Sequence, residues 1–134
     1  MSDDLKQKTG ATAKLYFEGY TGERPFDLWR AFDPGLAKDL SLFITGQMYA
    51  REKLPHPTRQ LVAVAALTAL ERGEELRLHI WAALNVGCPP QDVAEAIFQV
   101  GVYAGMPVVN QGLKALKEVL EQRGQWPLPP TAKG

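Results

Sequence analysis

The chain has 134 residues, enough for a single hydrophobic core, and reads as one domain over residues 1–134. Its fifteen basic and fifteen acidic residues cancel to a formal net charge of zero. They are interspersed without a Lys/Arg block or aromatic-basic interleaving, which argues against nucleic acid and anionic membrane as partners.

Cys88 is the single cysteine, so there is no internal disulfide and no Cys-Cys or Cys-His metal spacing, and the pattern fits a reducing compartment. The N-terminus, Met1-Ser-Asp-Asp-Leu-Lys, is polar where a signal peptide needs an apolar segment. The longest apolar run, Leu61 to Leu70, contains Thr68 and is too short to span a bilayer. A cytoplasmic protein is expected.

In chain order, Ala13 to Trp29 predicts one or two short helices interrupted by Gly19, Gly22 and Pro25. Asp33-Pro34 supplies an N-cap and a first-turn proline, and Leu36, Leu40, Phe43, Ile44, Gln47 and Met48 follow at helical spacing. The stretch Thr58–Glu71 is apolar nearly all round, which predicts a helix buried on more than one side, central or at a subunit contact. After Gly73, residues 74–86 place Leu76, Ile80, Ala83 and Leu84 on one face, and Gly87 ends that helix. Pro89-Pro90 opens a helix from Gln91 to about Ala104, before Gly105-Met106-Pro107. The last helix, Val108 to about Arg123, carries Leu113, Leu116 and Leu120 on one side. Lys114/Glu118 and Lys117/Glu121 form i,i+4 pairs on its solvated side. Residues 125–134 read as an extended tail. With no strand alternation and no repeat, the fold class is all-α with six or seven helices.

The chemistry centres on His79, one of two histidines. At 100° per residue Arg72, His79 and Ala83 lie within about 40° of one another, with Glu75 one step further round. Arg72, Glu75 and His79 therefore form a cation, a carboxylate and an imidazole at i, i+3 and i+7. A carboxylate one turn before an imidazole can fix its tautomer and raise its basicity. The same pattern describes a packed histidine with a satisfied hydrogen bond. Gln60, Gln99 and Tyr103 are polar groups inside apolar helices. They line a pocket beside His79 or bond carbonyls across helices. Asn110 caps the last helix or reaches the same pocket. Cys88 lies in a helix-to-helix turn and reads as a small apolar filler. His56 reads as an edge residue, and Trp81 and Trp29 as core or interface.

Thr58-Arg-Gln-Leu, Ala65-Ala-Leu-Thr-Ala-Leu, Glu74 to Gly87 and Gln91 to Asn110 together resemble the carboxymuconolactone decarboxylase family over about residues 40–120. Glu75-Leu-Arg-Leu-His79 and Tyr103-Ala-Gly-Met-Pro107 are the most specific parts. The resemblance implies an alkylhydroperoxidase D-like helical fold, a homo-oligomer (trimer or hexamer) with sites near subunit contacts, and His79 as the site residue. In the alkylhydroperoxidase branch of that family a Cys-x-x-Cys pair precedes the histidine. The matching positions here are Arg72 and Glu75, and the glutamate of that branch's proton relay falls near Gln60. Without a dithiol, peroxidase activity is the disfavoured alternative.

The decarboxylase branch shares Glu-Leu-x-Leu-His without cysteines, and its chemistry needs no cofactor or metal. The resemblance then implies acid-base work on a small lactone or carboxylate, with His79 as general acid, Glu75 orienting it and Arg72 holding a carboxylate or enolate oxygen. Gln60, Trp81, Gln99, Tyr103 and Asn110 would shape the pocket. Two departures stand out. The usual His-x-Arg is His79-Ile80-Trp81, and Asn-Asn-Gly is Asn85-Val86-Gly87. They leave open a third branch acting on a less charged molecule, and a non-catalytic oligomer that binds a small ligand.

Overall fold

The computed structural model describes residues 2–130, and among these every regular element is helical. In order they are α1 (Ser2–Phe17), α2 (Pro25–Phe32), α3 (Pro34–Ser41), α4 (His56–Ala69), α5 (Gly73–Asn85), α6 (Pro90–Ala104) and α7 (Met106–Gln122). A π-helical segment, Leu42–Tyr49, continues directly from α3.

Helix starts follow local chemistry. Asp33 caps α3, its carboxylate accepting from the Leu36 N–H at 3.0 Å. Prolines occupy the first turns of α2, α4, α6 and α7, where a missing N–H costs nothing. Gly105, at φ 89°, breaks α6 from α7 in a backbone conformation that disfavours a side chain.

Helices α4 to α7 enclose the core. Val64, Leu76, Ile80, Val93, Ile97, Val109, Leu116 and Leu120 form one buried cluster with Cys88 in the α5–α6 turn. Each large aliphatic side chain there contributes about 1.5–3 kcal/mol through burial. Across α5 and α7, Arg77 donates to Glu118 at 2.6 Å. That exposed pair contributes at most about 1 kcal/mol. Glu118 therefore serves an interhelical contact rather than the expected pair with Lys114, and the Lys117 ammonium sits over the Trp126 ring at 5.4 Å.

The N-terminal half is a second layer. Helix α1 packs on the π-helical segment and on α5. It starts at residue 2, well before the expected Ala13, and its inward residues are Thr9, Thr12 and Tyr16. Those polar types hide the helical period from a hydrophobicity reading. Gly46 permits the close approach: a Cβ there would land on Thr9 Oγ1 and lie 2.9 Å from Leu5 Cδ1. Beyond α1, the chain is fastened to α5. Trp81 Nε1 donates to the Glu18 carbonyl at 2.9 Å, and Asn85 Nδ2 donates to the Tyr16 and Glu18 carbonyls at 2.9 and 3.0 Å. Arg123 completes this strut, donating to Asn85 Oδ1 at 2.9 Å with its guanidinium 4.5 Å from the Trp81 ring centroid.

Helix α4 buries Gln60, Val64 and Thr68 and leaves Val62 and Leu70 exposed, at 59% and 61%. It packs against α5, α6 and α7, with Leu61 and Leu67 half-buried against the core, so its central position is met while one side stays exposed. Residues 125–130 are non-helical, and the rest of the expected tail lies outside the described residues. Among the described residues no helix is long and apolar enough to cross a membrane.

Candidate active site

His79 lies on the α1-facing side of α5, nearly buried. Its Nδ1 meets Oε1 of the fully buried Gln60, on α4, at 2.9 Å. An amide oxygen has no proton to give, so Nδ1 carries the hydrogen and donates. Nε2 is left with the lone pair. The ring packs against Tyr49 and Phe17, with centroids 5.6 and 6.2 Å away. Burial disfavours the imidazolium and lowers the pKa from 6.5 to about 4, while the Glu75 charge pulls weakly the other way. At neutral pH the unliganded imidazole is neutral.

A second polar pair lies behind Gln60. The Tyr16 hydroxyl pairs with His56 Nδ1, and burial raises the Tyr16 pKa while the Gln60 amide partly offsets that rise. Gln60 Nε2 influences the phenol yet is buried without closing a hydrogen bond of its own. His56, read from sequence as an edge residue, thus serves to hold a buried tyrosine next to the site.

The imidazole borders a cavity of about 350 Å³, within the range of small-molecule sites. Helix α1 contributes Phe17, α2 and its approach contribute Arg24, Phe26 and Trp29, and the π-helical segment contributes Ile44, Thr45 and Tyr49. The π turn, closed by the Ala50 N–H to the Thr45 carbonyl at 3.0 Å, carries one more residue per turn than an α-helix. Such turns are frequent at functional sites. Among the described residues no group of three or more His, Cys, Asp or Glu side chains is placed to hold a metal ion.

Of the residues singled out in the sequence, His79 and Gln60 come together, and the others do not join them. Glu75 is exposed in the first turns of α5. It borders a neighbouring cleft with Glu74, Leu28 and Trp29, so Gln60 and not Glu75 holds the imidazole. Arg72 is the exposed N-cap residue of α5. Trp81 is occupied in the strut to Glu18 and does not line the cavity. Gln99 and Tyr103 are exposed on α6, the latter at 82%, because they lie roughly 90–130° round from the buried stripe Val93, Ile97, Val100. Asn110 is exposed within α7, whose N-cap is Gly105, so it neither caps that helix nor reaches the cavity. Cys88 is buried, its thiol donating to the Pro57 carbonyl at 3.4 Å and its pKa raised by burial. That is an unreactive setting for a thiol.

The sequence reading missed Phe17, Arg24, Phe26, Ile44, Thr45 and Tyr49. The only signal was the spacing of Thr9, Ala13 and Phe17 on one side of a helix, and nothing local pointed from it to His79.

The helical domain thus sets a neutral, amide-oriented imidazole against a small, largely apolar cavity. Comparison with known proteins shows the family. The model of the carboxymuconolactone decarboxylase family matches residues 34–118, and the chain belongs to that family. It is 31% identical to the 4-carboxymuconolactone decarboxylase of Acinetobacter baylyi over 92% of this chain and 93% of that one. It is also 28% identical to an uncharacterized 15.0 kDa protein in the nqo9-nqo10 intergenic region of Paracoccus denitrificans, over 69% of this chain and 70% of that one.

Proposed function

We propose that this carboxymuconolactone decarboxylase-like protein is a cofactor-free carboxy-lyase acting on a small unsaturated lactone, with His79 delivering the proton. The observation that carries this reading is the Gln60–His79 pair at the edge of an apolar cavity. Gln60 Oε1 accepts from Nδ1–H, which directs Nε2 to the substrate. A carboxylate entering a low-dielectric cavity favours the charged imidazole, so binding raises the His79 pKa and Nε2 takes up a proton. The carboxylate's C–C bond then breaks. CO2 departs, and the electron pair delocalises through the conjugated double bond onto the lactone carbonyl oxygen. Nε2–H protonates the carbon next to that carbonyl, and the imidazole returns to its neutral form. His79 is thus a base on binding and an acid in the bond-breaking step, which refines the acid role expected from the sequence.

The test is CO2 release from freshly prepared 4-carboxymuconolactone. Measurable turnover supports the lyase reading, and none at any pH from 5 to 8 removes it. A parallel assay of dithiol-dependent peroxide reduction addresses the alternative. It is expected to give none, because Cys88 is buried and has no partner cysteine in the sequence.

The protein acts on this reading as a homo-oligomer, a trimer or hexamer. Support comes from exposed apolar side chains on the packed helices α4 and α6, namely Val62 and Leu70 on the first and Phe98 and Val102 on the second, the last 74% exposed. Large exposed apolar patches mark association surfaces. Sedimentation velocity is expected to give an oligomer for the parent, and Val102→Glu combined with Val62→Glu is expected to give monomer. A monomeric parent at micromolar concentration would overturn the assembly.

A further inference from the structure

The cavity contains more charge recognition than His79 supplies. Apart from the imidazole, Arg24 is the cationic residue among those that border it. The remaining walls are largely aromatic or aliphatic, including Phe17, Phe26, Trp29 and Leu78. The Arg24 guanidinium lies 5.9 Å from the Phe17 ring centroid, and its Nε is 3.8 Å from an oxygen of Asp27. A separation of 3.8 Å is beyond hydrogen-bond length. The Asp27 contact therefore leaves the guanidinium's donor fork available to a ligand carboxylate, which it can grip in bidentate fashion.

From this we infer that Arg24 anchors a second carboxylate of the substrate, the one retained in the product, while the departing carboxylate lies at His79. The inference rests on the lyase reading above for the role of the departing group, and it assigns to Arg24 a recognition role that the family resemblance implied for Arg72. The 4-carboxymuconolactone of the assay above carries two carboxylates, one on the ring and one on a short arm. Aromatic walls receive the flat ring. A third anionic group has no cation to meet it among the residues that border the cavity.

Binding, not turnover, tests this. The probe is (5-oxo-2,5-dihydrofuran-2-yl)acetate, which keeps the arm carboxylate and lacks the departing one, with its uncharged amide as control. Calorimetric titration is expected to show the carboxylate binding the parent at least about tenfold more tightly than the amide, the scale of one well-placed charged hydrogen-bonding group. Arg24→Gln is expected to erase that preference, so that carboxylate and amide bind alike, and Arg24→Lys to retain part of it. Equal binding of carboxylate and amide by the parent, or an undiminished preference in Arg24→Gln, overturns the inference. The two readings fail separately. An Arg24-dependent preference without CO2 release from the doubly charged lactone defeats the lyase reading alone, whereas CO2 release unaffected by Arg24→Gln, in KM as in kcat, defeats the anchor alone.

Discussion

Replacing His79 with alanine is expected to lower the rate of CO2 release by about 10²–10⁴-fold, the usual contribution of a positioned acid-base group. The physical reason is specific to this site. With Nδ1–H held by Gln60 at 2.9 Å, Nε2 is the one ring nitrogen available to the substrate, and no other imidazole borders the cavity. The loss should fall on kcat while binding of the singly charged lactone probe changes little, because that probe lacks the group that faces His79. Gln60→Leu provides the companion measurement. It leaves the imidazole in place but without a fixed tautomer, and its rate is expected between those of the parent and His79→Ala. If His79→Ala retains more than a tenth of parental turnover while its circular dichroism spectrum matches the parent's, the proton comes from elsewhere.

The same imidazole makes the fold acid-sensitive. Its folded pKa, about 4, lies below the ordinary value of 6.5, so the unfolded chain binds the proton more readily. Stability is therefore full above about pH 6.5, falls as pH drops, and levels off near pH 4 once both states are protonated. The loss approaches about 1.4 kcal/mol per pH unit and totals about 3 kcal/mol. Glu118, whose pKa is lowered by Arg77, adds its own loss only below the ordinary carboxylate range. Between pH 6.5 and 4.5 the difference between the parent and a variant lacking the imidazole isolates the His79 contribution. Urea unfolding across that interval is expected to show the slope in the parent and not in His79→Leu. An unchanged slope in the variant would mean that the imidazole is not desolvated as its packing against Tyr49 and Phe17 indicates.

The core helices were legible because their buried residues are aliphatic and recur at helical spacing. Leu76, Ile80 and Ala83 on α5 and Leu116 and Leu120 on α7 are the clearest cases. Gln60 and His79 were each legible as polar residues in apolar helices, but their pairing was not. They are nineteen residues apart and meet only through the packing of α4 on α5. The helical wheel of α6 already contained the answer for Gln99 and Tyr103, since the stripe Val93, Ile97, Val100 fixes which side turns inward. Glu75 and Arg72 were misplaced for another reason. Sharing a side with His79 at the outset of a helix does not bring a residue under the neighbouring layer, and α5 begins in solvent. The π-helical segment had no readable signature, because its apolar residues recur at a spacing that an α-helix also satisfies.

Trp81 stands where relatives with His-x-Arg would place a cation, yet here it is a tie-beam that, with Asn85 and Arg123, pins the end of α1 to α5. The stretch that leaves this anchorage carries Arg24, Phe26 and Trp29, three of the residues that border the cavity, whereas the imidazole and the amide that orients it sit on α5 and α4. On the proposed function, recognition and reactivity therefore lie on separate pieces of chain. Exchange of some fifteen residues between the anchor and α3 would retune which molecules are accepted while the machinery that breaks the bond stayed as it is, a division of labour that lets one small scaffold diversify by editing a single short insert.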